Sequence, residues 1–163
     1  MTLVRDEAHQ LPLRPKSDSR IAVVVPRPED LTPADTSSYV TPNLATALRH
    51  YHPHMDEFFM AMNPALPEVK SLREKLKNYD LAIIGTINAS VHKGQADLVN
   101  AALKQGTQVI AVALRMPYDL SAYPAVQTYA CTYSILPPAM EALAAGLMGK
   151  IDFRGKLPVT VSR

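Results

Sequence analysis

Short apolar runs separated by longer segments of helical pattern dominate the chain after residue 20. Residues 21–25, 81–84 and 109–113 are continuous apolar runs rich in β-branched side chains, which is typical of strands buried on both faces. Residues 55–60 and 126–131 have weaker strand character at similar spacing. Strands that alternate with helix-length segments predict parallel pairing through right-handed crossovers.

The segments between these runs repeat apolar residues at helical spacing. Thr41 followed by Pro42 is typical of an N-cap residue and a first helical position. The helix that they begin would carry Leu44, Leu48 and Tyr51 on its buried face.

Three more helices follow the same logic. One is predicted to open at Pro67, one to span residues 94–104 and stop at Gly106, and one to run from Pro137 to Gly149. The sequence therefore predicts an α/β fold with a doubly wound, mostly parallel sheet sandwiched between helices.

The first 20 residues differ from the rest of the chain. Residues 2–13 contain apolar pairs, whereas residues 14–20 are polar and hold a proline. We expect an N-terminal extended arm that packs on the sheet edge or on helices, followed by a linker. The domain division predicted from this pattern is an arm and linker over residues 1–20 and an α/β sandwich over residues 21–163.

Composition narrows the possible functions. The chain has 163 residues, 47% of them hydrophobic and 20% charged, which suits one globular domain. The net charge of +2 is spread along the chain without a block of like charges, so nucleic acid is not an expected partner. No apolar run reaches the length of about 20 residues that a bilayer requires, and no membrane partner is expected. Cys131 is the single cysteine, so an internal disulfide is excluded.

Candidate binding residues lie where the predicted strands end. Ligands of parallel sheets collect beyond the carboxyl ends of the strands, and polar loops follow there at residues 85–94, 115–119 and 132–134. The candidate substrate-binding residues in these loops are Asn88, Arg115, Tyr118, Asp119 and Tyr133.

Each candidate also has a purely local interpretation. Arg115 and Asp119 could form an ion pair with each other, and Tyr118 could pack under its loop. Asn88 could cap the following helix. His92 beside Lys93 is interpreted as a solvated loop residue, and Cys131 as a small hydrophobic group within a strand.

Stronger chemical signatures are absent from the sequence. It contains no nucleophile elbow, no Walker loop and no dinucleotide fingerprint, so no cofactor is expected. His50, His52 and His54 alternate, but Pro53 interrupts them. They are interpreted as surface histidines, and no metal site is predicted.

Four stretches together resemble one known family, the family 3 glycoside hydrolases, in its C-terminal, non-barrel domain. They are residues 2–7 with 11–13, residues 113–120 around Arg-Met-Pro-Tyr-Asp, residues 132–149, and residues 153–160 with the ending Gly-Lys-Leu-Pro-Val-Thr. The Arg-x-Pro-Tyr-Asp loop is similar to that of bacterial two-domain β-N-acetylglucosaminidases within the family.

The resemblance implies a role without catalysis for this chain. It implies retaining hydrolysis of β-linked N-acetylglucosamine by a parent enzyme, secreted or associated with a bacterial cell wall. In that subgroup the nucleophilic aspartate and the aspartate–histidine acid/base pair belong to an N-terminal TIM barrel of the same protein. Glu68, Glu74 and Glu141 fall on predicted helices and match no acid/base of the glucosidase branch. This chain would then line the cleft for an N-acetylglucosamine-containing oligosaccharide and stabilise the barrel.

The alternative is a free-standing, doubly wound ligand-binding or regulatory module. A receiver domain would require acidic residues after the first strand and a lysine after the last. Glu29 and Asp30 satisfy half of this requirement, but no matching lysine follows the fifth strand.

Overall fold

One six-stranded sheet organises the chain, which a computed structural model describes for residues 1–29 and 39–161. The strands are β1 (Thr2–Asp6), β2 (Ile21–Pro26), β3 (Met55–Met60), β4 (Leu81–Thr86), β5 (Val109–Ala113) and β6 (Thr128–Cys131). The helices are α1 (Leu44–Arg49), α2 (Leu66–Leu76), α3 (Lys93–Lys104) and α4 (Pro137–Leu147), with a 3₁₀-helix, η1, at Pro117–Ala122.

The sheet has the order β1-β6-β5-β4-β2-β3 and is parallel from β6 to β3. Only β1 runs antiparallel to its neighbour, β6. Helix α1 packs against α4, and α2 packs against α3. The predicted doubly wound, mostly parallel sheet between helices is confirmed. The chain leaves β2 and β4 in opposite directions, so the topological switch point lies between these two strands.

The central strands are buried on both faces, which explains their continuous apolar sequences. Every residue of β2, β4, β5 and β6 is buried. Along β2, Val24 packs with Leu72 and Val99 from α2 and α3, whereas Val23 packs with Leu48 from α1 and the α4 side chains. Alternate residues of one strand thus belong to two separate cores.

The N-terminal arm forms an edge strand of this sheet. Thr2 lies opposite Cys131, and Asp6 lies opposite Thr128. The carboxylate of Asp6 accepts hydrogen bonds from the Thr128 hydroxyl at 2.9 Å and from the backbone N–H of Gln10 at 2.9 Å. The expected packing of the arm on the sheet edge is therefore observed. The domain division at residue 20 stays a prediction.

Three local predictions were wrong around the first helix. Helix α1 begins after Asn43, and its N-cap makes no side-chain hydrogen bond, so Thr41 does not cap it. Tyr51 lies beyond the helix end and is 39% exposed. His52 is buried and is not a surface residue. Its Nε2 lies 2.7 Å from the Ser19 carbonyl oxygen, within hydrogen-bond distance.

The remaining helices begin and end close to the residues predicted from the sequence. Helix α3 begins one residue before Gly94, and α2 has Pro67 in its first turn. Gly106 has a φ of 87°, the left-handed conformation that glycine adopts readily after a helix. Within the described parts of the chain, no helix has the length and apolar character needed to cross a membrane.

Candidate functional site

Three of the loops that follow the parallel strands lie at one edge of the sheet, at the carboxyl ends of β4, β5 and β6. These loops are residues 87–92 after β4, residues 114–122 after β5 including η1, and residues 132–136 after β6. We call them together the strand-end surface. All five predicted binding residues lie on it, although they differ greatly in exposure.

Asp119 is the buried anchor of this surface. Its side chain lies in η1, and the residue is 1% exposed. Oδ2 accepts a hydrogen bond from the Thr86 hydroxyl at 2.7 Å, and Oδ1 accepts one from the Ala89 N–H at 2.8 Å. Burial raises the pKa of Asp119, while the hydrogen bonds from Thr86 and Ala89 oppose that rise. Each carboxylate oxygen thus has a hydrogen-bond donor from β4 or from the loop that follows it.

A chain of hydroxyl groups extends from Asp119 into the core. Because the carboxylate only accepts, Thr86 donates to it, and the Tyr123 hydroxyl at 2.8 Å then donates to Thr86. The ring of Tyr129 packs edge-on against that of Tyr123, with 6.0 Å between the ring centroids. The Tyr129 hydroxyl donates a hydrogen bond to the Pro117 carbonyl oxygen at 3.0 Å. Both ends of this polar chain therefore fix η1 to the sheet.

Gln95, which sequence reasoning missed, performs a similar task for the loops after β3 and β4. It is fully buried in the first turn of α3. Its Oε1 accepts from the Ile87 N–H at 2.8 Å, and its Nε2 donates to the carbonyl oxygens of Met62 and Ile87. The only sequence signal was that this glutamine follows Gly94. A side chain at residue 94 would strike the Pro64 carbonyl oxygen.

The exposed side of the surface is aromatic, apolar and cationic. Tyr118 is 42% exposed, and Arg115, which lies earlier in the same loop, is also exposed. Tyr133, in the loop after β6, is 38% exposed. Tyr118 therefore does not pack under its loop. Other large apolar side chains exposed on this surface are Val91, Met116 and Leu136.

Two residues of the surface have left-handed backbone conformations. Asn88 has a φ of 52°, and Tyr133 has a φ of 62°. The Asn88 carbonyl oxygen accepts from the N–H groups of Val91 and His92, both at 2.9 Å. The Asn88 side chain does not cap α3, because His92 occupies the N-cap position. Left-handed non-glycine residues of this kind cluster at functional sites.

Nucleophile and metal chemistry find little support at this edge. Cys131 is buried in β6, and burial raises its pKa to about 11, so the thiol stays protonated at neutral pH. Among residues 1–29 and 39–161, no three His, Cys, Asp or Glu side chains are grouped closely enough to hold a metal ion.

Replacing Asp119 by alanine should destabilise the domain by about 2 kcal/mol, because two buried donors lose their acceptor. Asp119→Asn should cost less, since its oxygen can still accept from Ala89. Asp97→Ala, at an exposed position of α3, is the matched control and should change stability by less than about 0.5 kcal/mol. Urea unfolding of the three variants measures this order, and equal stability of Asp119→Ala and Asp97→Ala would contradict the anchoring role.

Comparison with known proteins supports the sequence resemblance. A family 3 β-N-acetylglucosaminidase from Paenibacillus sp. str. FPU-7 has 26% identity and a TM-score of 0.85, over 99% of this chain and 30% of that one. A fungal multi-domain family 3 β-N-acetylglucosaminidase has 27% identity and a TM-score of 0.83, over 98% of this chain and 18% of that one.

More distant structures share the fold alone. The β-glucosidase from Listeria innocua, solved with gluconolactone, has 14% identity and a TM-score of 0.69, over 91% of this chain and 23% of that one. A search of curated proteins finds no match. This chain thus spans less than a third of the length of each of these solved chains.

The family assignment does not depend on these structures alone. The sequence model of the glycosyl hydrolase family 3 C-terminal domain matches residues 1–163, which is the whole chain. The resemblance carried by the four sequence stretches is confirmed, and the chain belongs to the glycosyl hydrolase family 3 C-terminal domain.

Proposed function

We propose that this chain works as the C-terminal domain of a larger retaining β-N-acetylglucosaminidase, in which its strand-end surface lines the substrate cleft beside an N-terminal TIM barrel. The observation that carries this proposal is the division of the surface into two layers. Its carboxylate is buried and accepts a hydrogen bond at each oxygen, whereas its tyrosines and arginine are exposed.

The strand-end surface has too few carboxylates for retaining hydrolysis, which favours catalysis by another domain. Retaining glycosidases use two carboxyl groups about 5 Å apart on either side of the scissile bond. Asp119 is the only acidic residue in the three loops of the strand-end surface, and both of its oxygens are engaged. Glu68 and Glu74 lie on α2, and Glu141 lies on α4. The reacting groups would therefore come from the barrel.

The exposed residues suit contact with a sugar. The guanidinium of Arg115 presents a rigid fork of donors, which can reach sugar hydroxyl groups or an acidic group of the barrel. The rings of Tyr118 and Tyr133 offer flat apolar area with a polar end. Asn88 lies in the loop after β4, next to the switch point between β2 and β4 where doubly wound sheets bind ligands.

Asp119 has a different part in this proposal from that of the exposed residues. Its burial leaves it no direct approach to a sugar, so it acts by holding η1 and the loop after β4 in place. The substrate contacts are assigned to Arg115, Tyr118, Tyr133 and Asn88.

The isolated chain should release no p-nitrophenol from p-nitrophenyl N-acetyl-β-glucosaminide, because the strand-end surface offers no pair of free carboxylates. A colorimetric assay of the purified chain measures this. Turnover that disappears when an Asp, Glu or His residue of this chain is replaced would contradict the assignment of catalysis to another domain.

Arg115→Ala in the full-length parent enzyme should raise the Michaelis constant by roughly 3- to 10-fold, because it removes charged donors from the cleft. Its melting temperature should change little, because the contacts of an exposed side chain contribute no more than about 1 kcal/mol to stability. Arg14→Ala, exposed near the opposite end of the strands, is the matched control for removal of one positive charge. Steady-state kinetics of both variants decide the point. Identical kinetics for Arg115→Ala, Arg14→Ala and the unmodified enzyme would refute the role of this loop.

A further inference from the structure

The first residues of the chain and residues 153–155 meet beside Tyr133. The Gly155 N–H donates to the Met1 carbonyl oxygen at 3.1 Å. Gly146 of α4 lies under the same contact, since a Cβ built there would meet the side chains of Met1 and Phe153. The start of β1 and the segment after α4 are thus held together on one helix.

Thr2 connects this junction to the strand-end surface. Its Oγ1 shares a hydrogen bond with the Tyr133 hydroxyl at 3.0 Å. Thr2 is only 3% exposed and is paired with Cys131 in the sheet, so its hydroxyl has a fixed position. The Tyr133 ring, by contrast, is partly exposed to solvent.

The backbone at Tyr133 is fixed independently of this bond. Its left-handed conformation is one that residues with a side chain rarely adopt, and it persists only where the surroundings determine it. The Thr132 hydroxyl donates to the Ser134 carbonyl oxygen at 2.8 Å and lies 3.3 Å from that of Leu114. The turn is therefore held by Thr132, which leaves the Thr2 contact to orient the ring.

Gly155 makes the junction possible. A Cβ at this position would strike both the Met1 carbonyl oxygen and Thr2 Oγ1. Any side chain at residue 155 would therefore push apart the tail and β1, or displace the hydroxyl that Tyr133 contacts.

We propose that Met1, Thr2 and Gly155 form a clasp that orients the Tyr133 ring on the strand-end surface, which makes Thr2 a positioning residue for substrate contact. The proposal rests on the proposed function, because it requires that Tyr133 face the cleft. It adds that the arm through which the barrel would enter this domain also sets the position of a cleft side chain.

The first test observes the ring directly and does not depend on activity. The chain is labelled with 3-fluorotyrosine, and its ¹⁹F spectrum is assigned by loss of one resonance in Tyr133→Phe. Thr2→Val should shift and narrow the Tyr133 resonance, because the ring loses its fixed partner, and Thr2→Ser should restore it. Thr46→Val, at an exposed position of α1, is the control and should leave the resonance unchanged.

The second test measures kinetics in the full-length parent enzyme. Thr2→Val and Tyr133→Phe should each raise the Michaelis constant by about 3- to 10-fold with little change in turnover number, since each removes one hydrogen bond. The double variant should show no further increase, because both substitutions break the same contact. Gly155→Ala should also raise the Michaelis constant, and so should Tyr133→Ala, which removes the ring altogether.

The two tests separate failure of the clasp from failure of the proposed function. An unchanged Tyr133 resonance in Thr2→Val overturns the clasp, even if Tyr133→Ala impairs the enzyme. Unchanged kinetics for Tyr133→Ala overturn the cleft role of Tyr133 and the positioning role with it. Independent, multiplying effects of Thr2→Val and Tyr133→Phe also overturn the proposal.

Discussion

The arrangement of the strand-end loops depends on one buried carboxylate. Asp119 joins a helix after β5 to Thr86 at the end of β4 and to Ala89 in the following loop. Burial of a charged group costs free energy unless the group is hydrogen-bonded. The loops must therefore keep the positions in which Thr86 and Ala89 donate to Asp119. Gln95 imposes the same condition on the loops after β3 and β4. A rigid polar layer therefore lies beneath an exposed aromatic and cationic one.

Under the proposed function, this layering would allow a domain that supplies no reacting group to position the substrate of a hydrolase. Substrate-positioning side chains are useful only if they hold their geometry closely, and the buried layer provides that support. Tyr133 receives further support from the proposed clasp of Met1, Thr2 and Gly155. The same loops would lose their geometry if Asp119 were free to move, so in this scheme a group that touches no substrate is needed for those that do.

Sequence patterns predicted the fold well because burial on both faces leaves a local signal. The apolar runs in β2, β4 and β5 are continuous, and no distant residue is needed to recognise them. The burial of Asp119 left no such signal, because its partners Thr86 and Ala89 are about 30 residues away and meet it only in the folded sheet. His52 was missed for the same reason, since its partner is the Ser19 carbonyl oxygen. Loop position identified the candidate residues, but it could not distinguish the buried from the exposed ones.

The most direct test of the cleft role is hydrogen–deuterium exchange of the full-length parent enzyme with and without saturating N-acetylglucosamine. Ligand that contacts the strand-end surface should slow exchange in peptides covering residues 114–122 and 132–136. Peptides covering residues 104–108, at the opposite ends of the strands, should exchange at the same rate in both samples. Protection confined to the barrel, with none in the strand-end loops, would contradict the proposal that this domain lines the substrate cleft.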